Sequence, residues 1–446
     1  MRTISKHIVK PAEPTWNGLL PLTELDHISV ITHSYIVYFY DKPIEHDSFV
    51  TSTNKIVNTL KNSLSRVLVP YYPLAGRLSW IGGGRFKLEC NALGAELIEV
   101  ESTMKIADFG DFYSSSDKFY NLLPEIDYCG RPIQGLPLLS VQITRFACGG
   151  LSVGLAMSHI VADGASAFRF IKNWARLTRG EPLEVVPLLD RRILLAEDAD
   201  ESSVREEVDD GGSMKFFSQV GLGKVGNNVT PIFKLLTKEK IERLKQVANN
   251  SNNDNNGHPY SRFEAITAYC VCKARQLKGE DITTLTIAID ARRRMDPPLP
   301  SSYFGNAVID INVSSTAGEI MSKPLSYACS KIREATTKVN NKLVLELIDF
   351  LKSQQSLINH QFFEERGKQY SPPSPSIDHG KVEVISWLNL GCSGVDFGWG
   401  FETYMGPPMV HGRDGTFMIT PFKLDGSMVV GLFLRNKSNV QFCELL

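Results

Sequence analysis

His159-Ile160-Val161-Ala162-Asp163, with Gly164 next, is the densest chemical feature of the 446-residue chain. The unperturbed pKa of histidine lies near neutrality, so its ring can take a proton from an alcohol or an amine. A carboxylate four positions on could orient that ring, or could pair elsewhere and hold the loop. With nine histidines present, a chance His-x3-Asp arises in roughly one such chain in two or three, so the spacing alone decides nothing. A second compact feature, Asp396-Phe397-Gly398-Trp399-Gly400, has the make-up of a tight turn. A zinc site is disfavoured. No second histidine stands at helical spacing from His159, and the eight cysteines include no Cys-x-x-Cys pair.

The elements around His159 decide how it would be presented. Leu151 to Met157 is an apolar run that reads as a buried strand, and Ala165 to Thr178 reads as a helix closed by Gly180. His159 therefore falls at a strand-to-helix junction, where a rigid scaffold offers a side chain to a cleft. Tyr35 to Tyr40 is β-branched and aromatic, as a buried strand would be. Residues 49 to 68 carry apolar side chains at helical spacing. Gly82-Gly83-Gly84 reads as a hairpin turn rather than a phosphate loop, because no helix pattern or Lys-Ser/Thr follows. This mixture of strands and helices indicates an α/β (α+β) fold.

A chain of this length exceeds one ordinary core, so two domains are expected. Acidic residues crowd Asp190 to Gly212 with little apolar periodicity, which marks a solvated linker over residues 190–213. It separates an N-terminal domain, 1–189, from a C-terminal domain, 214–446. Asn249 to Gly257 and Pro372 to Pro375 read as surface loops. A net charge of -1 at pI 6.8 supplies no field for nucleic acid or anionic lipid. The first residues lack the apolar core of a secretory signal, and no run of 18 apolar residues suggests a membrane span. Scattered cysteines suit a reduced, cytoplasmic protein.

Taken together, the two motifs resemble the paired signatures of the plant BAHD acyltransferases, in their usual order. Tyr72-Pro73-Leu74-Ala75-Gly76-Arg77, Asp290-Ala291-Arg292, Tyr303-Phe304-Gly305-Asn306 and Ser386-Trp387 are similar to that family too, so the resemblance spans nearly the whole chain. It implies two chloramphenicol-acetyltransferase-like domains joined by a crossover, with a channel between them. Acyl-CoA is then a co-substrate, with no tightly bound cofactor and no metal, and the acceptor is a small amine or alcohol. The resemblance makes His159 the base that deprotonates the acceptor for direct attack on the thioester, and Trp387 the donor to the oxyanion. It turns Asp163 away from His159 to pair with Arg292 across the domains. Asp396 stands with His159 as a catalytic candidate, although it reads mainly as the holder of its turn. Gly164, Gly398 and Trp399 support the site, Tyr40 and Asn389 line the acceptor pocket, and Ser261 and Arg262 meet coenzyme A. A monomer is expected.

Departures from the family pattern bear on the acceptor. Asn389 stands where relatives that acylate shikimate or quinate carry an Arg, and Asn cannot neutralise a carboxylate, so acidic acceptors are disfavoured. The helix after Glu264 lacks a Trp-Arg pair and reads about a turn short, and Ile385 replaces a polar residue. Pro11 to Trp16 and Arg179 to Glu184 resemble the spermidine hydroxycinnamoyltransferases, which implies a polyamine acceptor. Glu346 and Asp349, three apart on a predicted helix, could hold its charge, although Lys342 one turn earlier also suits a solvated face. The alternatives are an O-acyltransferase acting on an amine-containing alcohol such as an alkaloid, and a catalytically silent homologue that binds CoA esters.

Overall fold

The structure is a computed structural model that describes residues 1–42, 53–112, 117–128, 130–194, 230–250, 258–274, 282–357, 363–365, 368–370, 381–408, 415–422 and 425–434. Two mixed six-stranded sheets organise it. The first runs in the order Arg2–Val9, Ala95–Ser102, Leu139–Phe146, Leu151–Ser158, His33–Tyr40 and Tyr404–Gly406. The second runs Val308–Thr316, Ile282–Asp290, Lys381–Ser386, Thr416–Pro421, Met428–Leu434 and Thr230–Leu236. This is a two-domain α/β architecture. The halves are nevertheless interleaved, because the short strand Tyr404–Gly406 leaves the C-terminal half to pair with His33–Tyr40. Of the expected linker, only its first residues, through Leu194, are described.

Period-two alternation explains how the first sheet is buried on both faces. Along His33–Tyr40, Ile36, Tyr38 and Tyr40 enter a core shared with the helices Thr53–Val67 and Gly164–Thr178. Val37 and Phe39 enter a separate aromatic cluster with Phe109, Phe119, Phe146 and Tyr404. The triglycine segment joins Arg77–Gly82 to Arg85–Glu89 in a hairpin, with φ positive at all three glycines. The expected junction is present: strand Leu151–Ser158 runs into the turn that carries His159, and helix Gly164–Thr178 follows with Asp163 as its N-cap.

The seam between the halves is built on that N-cap. Asp163 Oδ1 accepts from Ser166 N (3.0 Å), and the Arg292 guanidinium donates to both carboxylate oxygens at 2.8 and 2.9 Å. Three successive backbone amides of the C-terminal half then end on groups of the N-terminal half. Gly305 N donates to Ser166 Oγ (3.2 Å), Asn306 N to Asp26 Oδ1 (2.9 Å) and Ala307 N to Asp163 Oδ2 (3.0 Å). Asp26 is itself paired with Arg191 at 2.6 Å, both side chains wholly buried. Burial alone would raise the Asp163 pKa, but the charge and hydrogen bonds of Arg292 outweigh it and hold the carboxyl below its ordinary value.

Removing one partner of a buried pair strands the other charge, at a cost of about 3–5 kcal/mol. Asp163→Asn and Arg292→Met should therefore each lower stability in denaturant titrations, and the double variant should lose clearly less than the sum. The folded pKa of Asp163 is depressed, so its contribution is complete above the unfolded value and disappears as pH falls through the folded one. Strictly additive losses, or stability unchanged by acid, would show that the pair does not couple the halves.

Candidate active site

His159 extends the register of its strand by one residue. Its backbone N–H donates to Thr32 O at 3.1 Å, beside the Ser158–His33 pair of the sheet. Three consecutive carbonyls of the following turn are held by side chains distant in sequence. His159 O accepts from Asn306 Nδ2 (2.8 Å) and Ser29 Oγ (3.2 Å), Ile160 O from Asn306 Nδ2 (3.1 Å) and Val161 O from the Arg191 guanidinium (2.7 Å). The ring is half-buried, yet its Nδ1 is shut off from solvent and has no hydrogen-bond partner of ordinary length. Desolvation lowers its pKa, against the opposing pull of Asp163, its own backbone, Asn306 and Asp26. Neutral near pH 7, the imidazole is in the form that accepts a proton.

Asp163 spends both oxygens on Ser166, Arg292 and Ala307. Its bonds are those of a seam-holding cap rather than of a ring orienter. Gly164 lies under the C-terminal segment: a Cβ there would meet Leu390 Cδ1 at 2.7 Å. That close approach lays Trp387, half-buried, edge-on against Phe168 with ring centroids 5.2 Å apart. Trp387 thus packs by the first turns of the helix that starts just after His159, and Asn389 is exposed in the next turn.

The second motif lies at the other end of the same helix. Asp396 Oδ1 accepts from Gly398 N (2.7 Å) and Gly400 N (3.0 Å), and Asp396 O accepts from Arg179, the helix C-cap. The helix spans 15 residues, about 22 Å, so Asp396 is remote from His159. The backbone φ of +110° at Gly398 and +107° at Gly400 lets the carboxylate gather both amides. Phe397 packs on Trp174 (4.8 Å) and Trp399 (5.6 Å), inside the first domain's core. The geometry gives Asp396 a turn to hold and no proton to handle.

Other pocket expectations need correction. Tyr40 is fully buried, donates to Val395 O (3.1 Å) and pairs with Leu151, at the end of the strand opposite Ser158. Seven strand steps separate it from the His159 end, roughly 25 Å, so it is a core residue and does not line the pocket around His159. Glu346 and Asp349 lie on the exposed face of helix Asn341–Ser353, which buries Val344, Ile348 and Leu351 instead. Glu346 faces Lys342 at 3.7 Å, so these acids are solvated. Ser261 closes a capping box with Glu264 on helix Arg262–Ala274, and Arg262 is exposed in its first turn. Tyr269 to Lys273, where the Trp-Arg pair is missing, lie within that 13-residue helix, and the residues that follow Ala274 lie outside the described ones. Among the described residues, no group of three His, Cys, Asp or Glu could hold a metal.

Sequence reasoning attached no role to Asp26, Arg191 or Asn306. The local signals were the Thr23-x-x-Asp26 spacing of a capping box, which the structure realises, and the family-like segment that ends at Asn306. If Asp396 only holds its turn, Asp396→Asn, which keeps an acceptor oxygen, should retain activity within a few-fold. Asp396→Ala should cost about 1–3 kcal/mol through two unpaired amides. A loss of 100-fold in turnover for a stably folded Asp396→Asn would restore its catalytic candidacy.

Residues 1–444 match the Transferase family. The chain is 39% identical to a hydroxycinnamoyl-CoA:piscidic acid hydroxycinnamoyltransferase of Actaea racemosa, over 97% of this chain and 96% of the relative. It is 33% identical to a shikimate O-hydroxycinnamoyltransferase of Nicotiana tabacum (96% and 95%) and 31% identical to an anthranilate N-benzoyltransferase of Dianthus caryophyllus (96% and 95%). Among solved structures it superposes on vinorine synthase with a TM-score of 0.72 at 21% identity, covering 98% of this chain and 95% of that one. An F. graminearum protein bound to coenzyme A and T-2 mycotoxin gives a TM-score of 0.73 at 18% identity, covering 95% and 96%. With the family matched nearly end to end, the chain belongs to the Transferase family, as a BAHD acyltransferase that uses acyl-CoA.

Proposed function

We propose that this enzyme moves an aromatic acyl group from coenzyme A to a hydroxyl of a small, acidic acceptor, with His159 as general base. The placement of His159 carries the mechanism: a neutral imidazole on a strand-to-helix turn, with Nδ1 buried and Trp387 packed nearby. His159 Nε2 takes the hydroxyl proton as the oxygen attacks the thioester carbon, and the Trp387 indole donates to the oxyanion. The intermediate collapses by breaking the C–S bond, and the departing thiolate recovers the proton from His159. Ser261 and Arg262, at an exposed helix start, are assigned to coenzyme A.

The acceptor reading departs from the polyamine expectation because the acids meant to hold a polyamine, Glu346 and Asp349, are on a solvated face. Relatives along the whole chain are named for piscidic acid, shikimate and anthranilate. Asn389 leaves an acceptor carboxylate without an Arg, but a cation is close. Lys172 Nζ lies 3.2 Å from where a Cβ on Gly391 would stand, two residues past Asn389, and its charge also acts on the Glu402 carboxyl. Lys172 is therefore assigned the carboxylate.

His159→Ala should stay folded and lose at least ~10²-fold in turnover. Because the His159 pKa is lowered, kcat/KM should hold its plateau through neutrality and fall only below the ordinary histidine range. With p-coumaroyl-CoA as donor, shikimate and an aliphatic hydroxy acid should outperform spermidine and a neutral alcohol. Lys172→Met should raise KM for the acidic acceptor by ~10-fold or more and leave the neutral alcohol within a few-fold. Spermidine as the best acceptor would return the assignment to an amine and leave the base untouched.

A further inference from the structure

At one corner of the second sheet the helices leave a gap. Thr283 pairs with Ser315, and Leu285 with Val313, across the strands Ile282–Asp290 and Val308–Thr316, so these four side chains share one face. Above them lie Val271 of helix Arg262–Ala274 and Ala328, Lys331 and Ile332 of helix Leu325–Thr337. Between floor and roof is a cleft of about 330 Å³, counting the part open to solvent. Val271 belongs to the stretch that lacks the Trp-Arg pair, so the helix offers only a small side chain to this wall.

The polar groups of the cleft stand at its two ends. Thr283 is 1% exposed, and its Oγ1 has no hydrogen-bond partner among the described residues. The neighbouring hydroxyls are engaged elsewhere: Ser315 Oγ donates to Glu319 Oε2 (3.1 Å), and Tyr327 OH donates to Ser315 Oγ (3.2 Å). A trapped water needs about three polar partners, whereas Val271, Leu285 and Ile332 are apolar. Lys331, half-buried, marks the open side and makes no ion pair among the described residues. Its charge acts on Glu334, but Glu334 is bonded to Lys338 (2.7 Å) and Glu319 to Lys323 (2.6 Å).

We propose that this cleft binds a small phenolic acid. Its single ring lies against Leu285, Ala328 and Ile332, its hydroxyl donates to Thr283 Oγ1, and its carboxylate meets Lys331 at the mouth. An unpartnered hydroxyl at one end, a cation at the other and apolar walls between them call for that chemistry. The closed part of the cleft is narrow, which limits the occupant to one ring. The site is remote from the acyl-transfer chemistry. Thr283 stands seven strand steps before Asp290, whose carboxylate accepts from Arg292 (3.1 Å), a separation of roughly 23 Å. It is therefore independent of the roles given to His159 and to the acceptor.

Methyl NMR of the full chain, titrated with 4-hydroxybenzoate in the presence of excess coenzyme A, tests the site. The Val271, Leu285, Ala328 and Ile332 methyls should shift and saturate. Thr283→Val, which keeps the shape and removes the hydroxyl, should weaken 4-hydroxybenzoate by ~5-fold or more and leave benzoate within 2-fold. Lys331→Met should weaken both acids by ~3-fold and leave phenol unchanged. Ala328→Phe should fill the cleft and abolish the shifts, while acyl transfer by the Thr283→Val and Lys331→Met variants stays within a few-fold of wild type. Methyls unmoved at ~10 mM ligand, or displacement by coenzyme A, would overturn the proposal. So would equal affinity in a folded Thr283→Val, or a crystal soaked with the acid that shows only a water at Thr283. These readings hold whether or not Ala328→Phe folds.

Discussion

The Asp163 carboxylate is the constraint on which the rest of the structure depends. It caps a helix of the first domain, neutralises a guanidinium of the second and receives the Ala307 amide, with no exposed surface of its own. A charge can be buried this deeply only if every lone pair is used, and the uses here come from both halves. The turn between strand Leu151–Ser158 and helix Gly164–Thr178 is thereby set by the same bonds that set the domains against each other. Chemistry and assembly share one point of attachment.

The two signature motifs divide labour along a single helix. At the N-terminal end, the turn presents His159, and Trp387 packs on Phe168 in the helix that follows. At the C-terminal end, Arg179 and the Asp396 turn fasten the returning chain to the core through Phe397 and Trp399. The C-terminal segment runs from one end to the other, so fastening it at the Asp396 turn fixes where Trp387 lies. A motif can be indispensable to the site and still lie about four helical turns from the reacting atoms.

The sequence disclosed what is local. The strand into His159, the helix behind it, the triglycine hairpin and the Asp396 turn are each specified within a few residues, by periodicity, capping and positive φ. The Asp163–Arg292 pair was legible only through family resemblance, because its partners are 129 residues apart. Tyr40 and the Glu346–Asp349 pair misled for a common reason: residue type suggests what a side chain can do, while register and helix phase decide what it meets. Asn306 was noticed only as the end of a family-like segment, and its role was not legible because its contacts with Asp26 join positions 280 residues apart.

The strand Tyr404–Gly406 completes the first sheet at the edge of His33–Tyr40, joined by Thr403 N to Phe39 O (2.8 Å). Those partners are 364 residues apart. On the ribosome, an aromatic strand made among the first residues has an open edge until nearly the whole chain has emerged. At about 5–20 residues per second, that interval is on the order of 20–70 s. An unpaired aromatic edge is a template for pairing with other chains. The nascent protein therefore carries an open margin for most of its synthesis, and the N-terminal half expressed alone would keep that margin permanently.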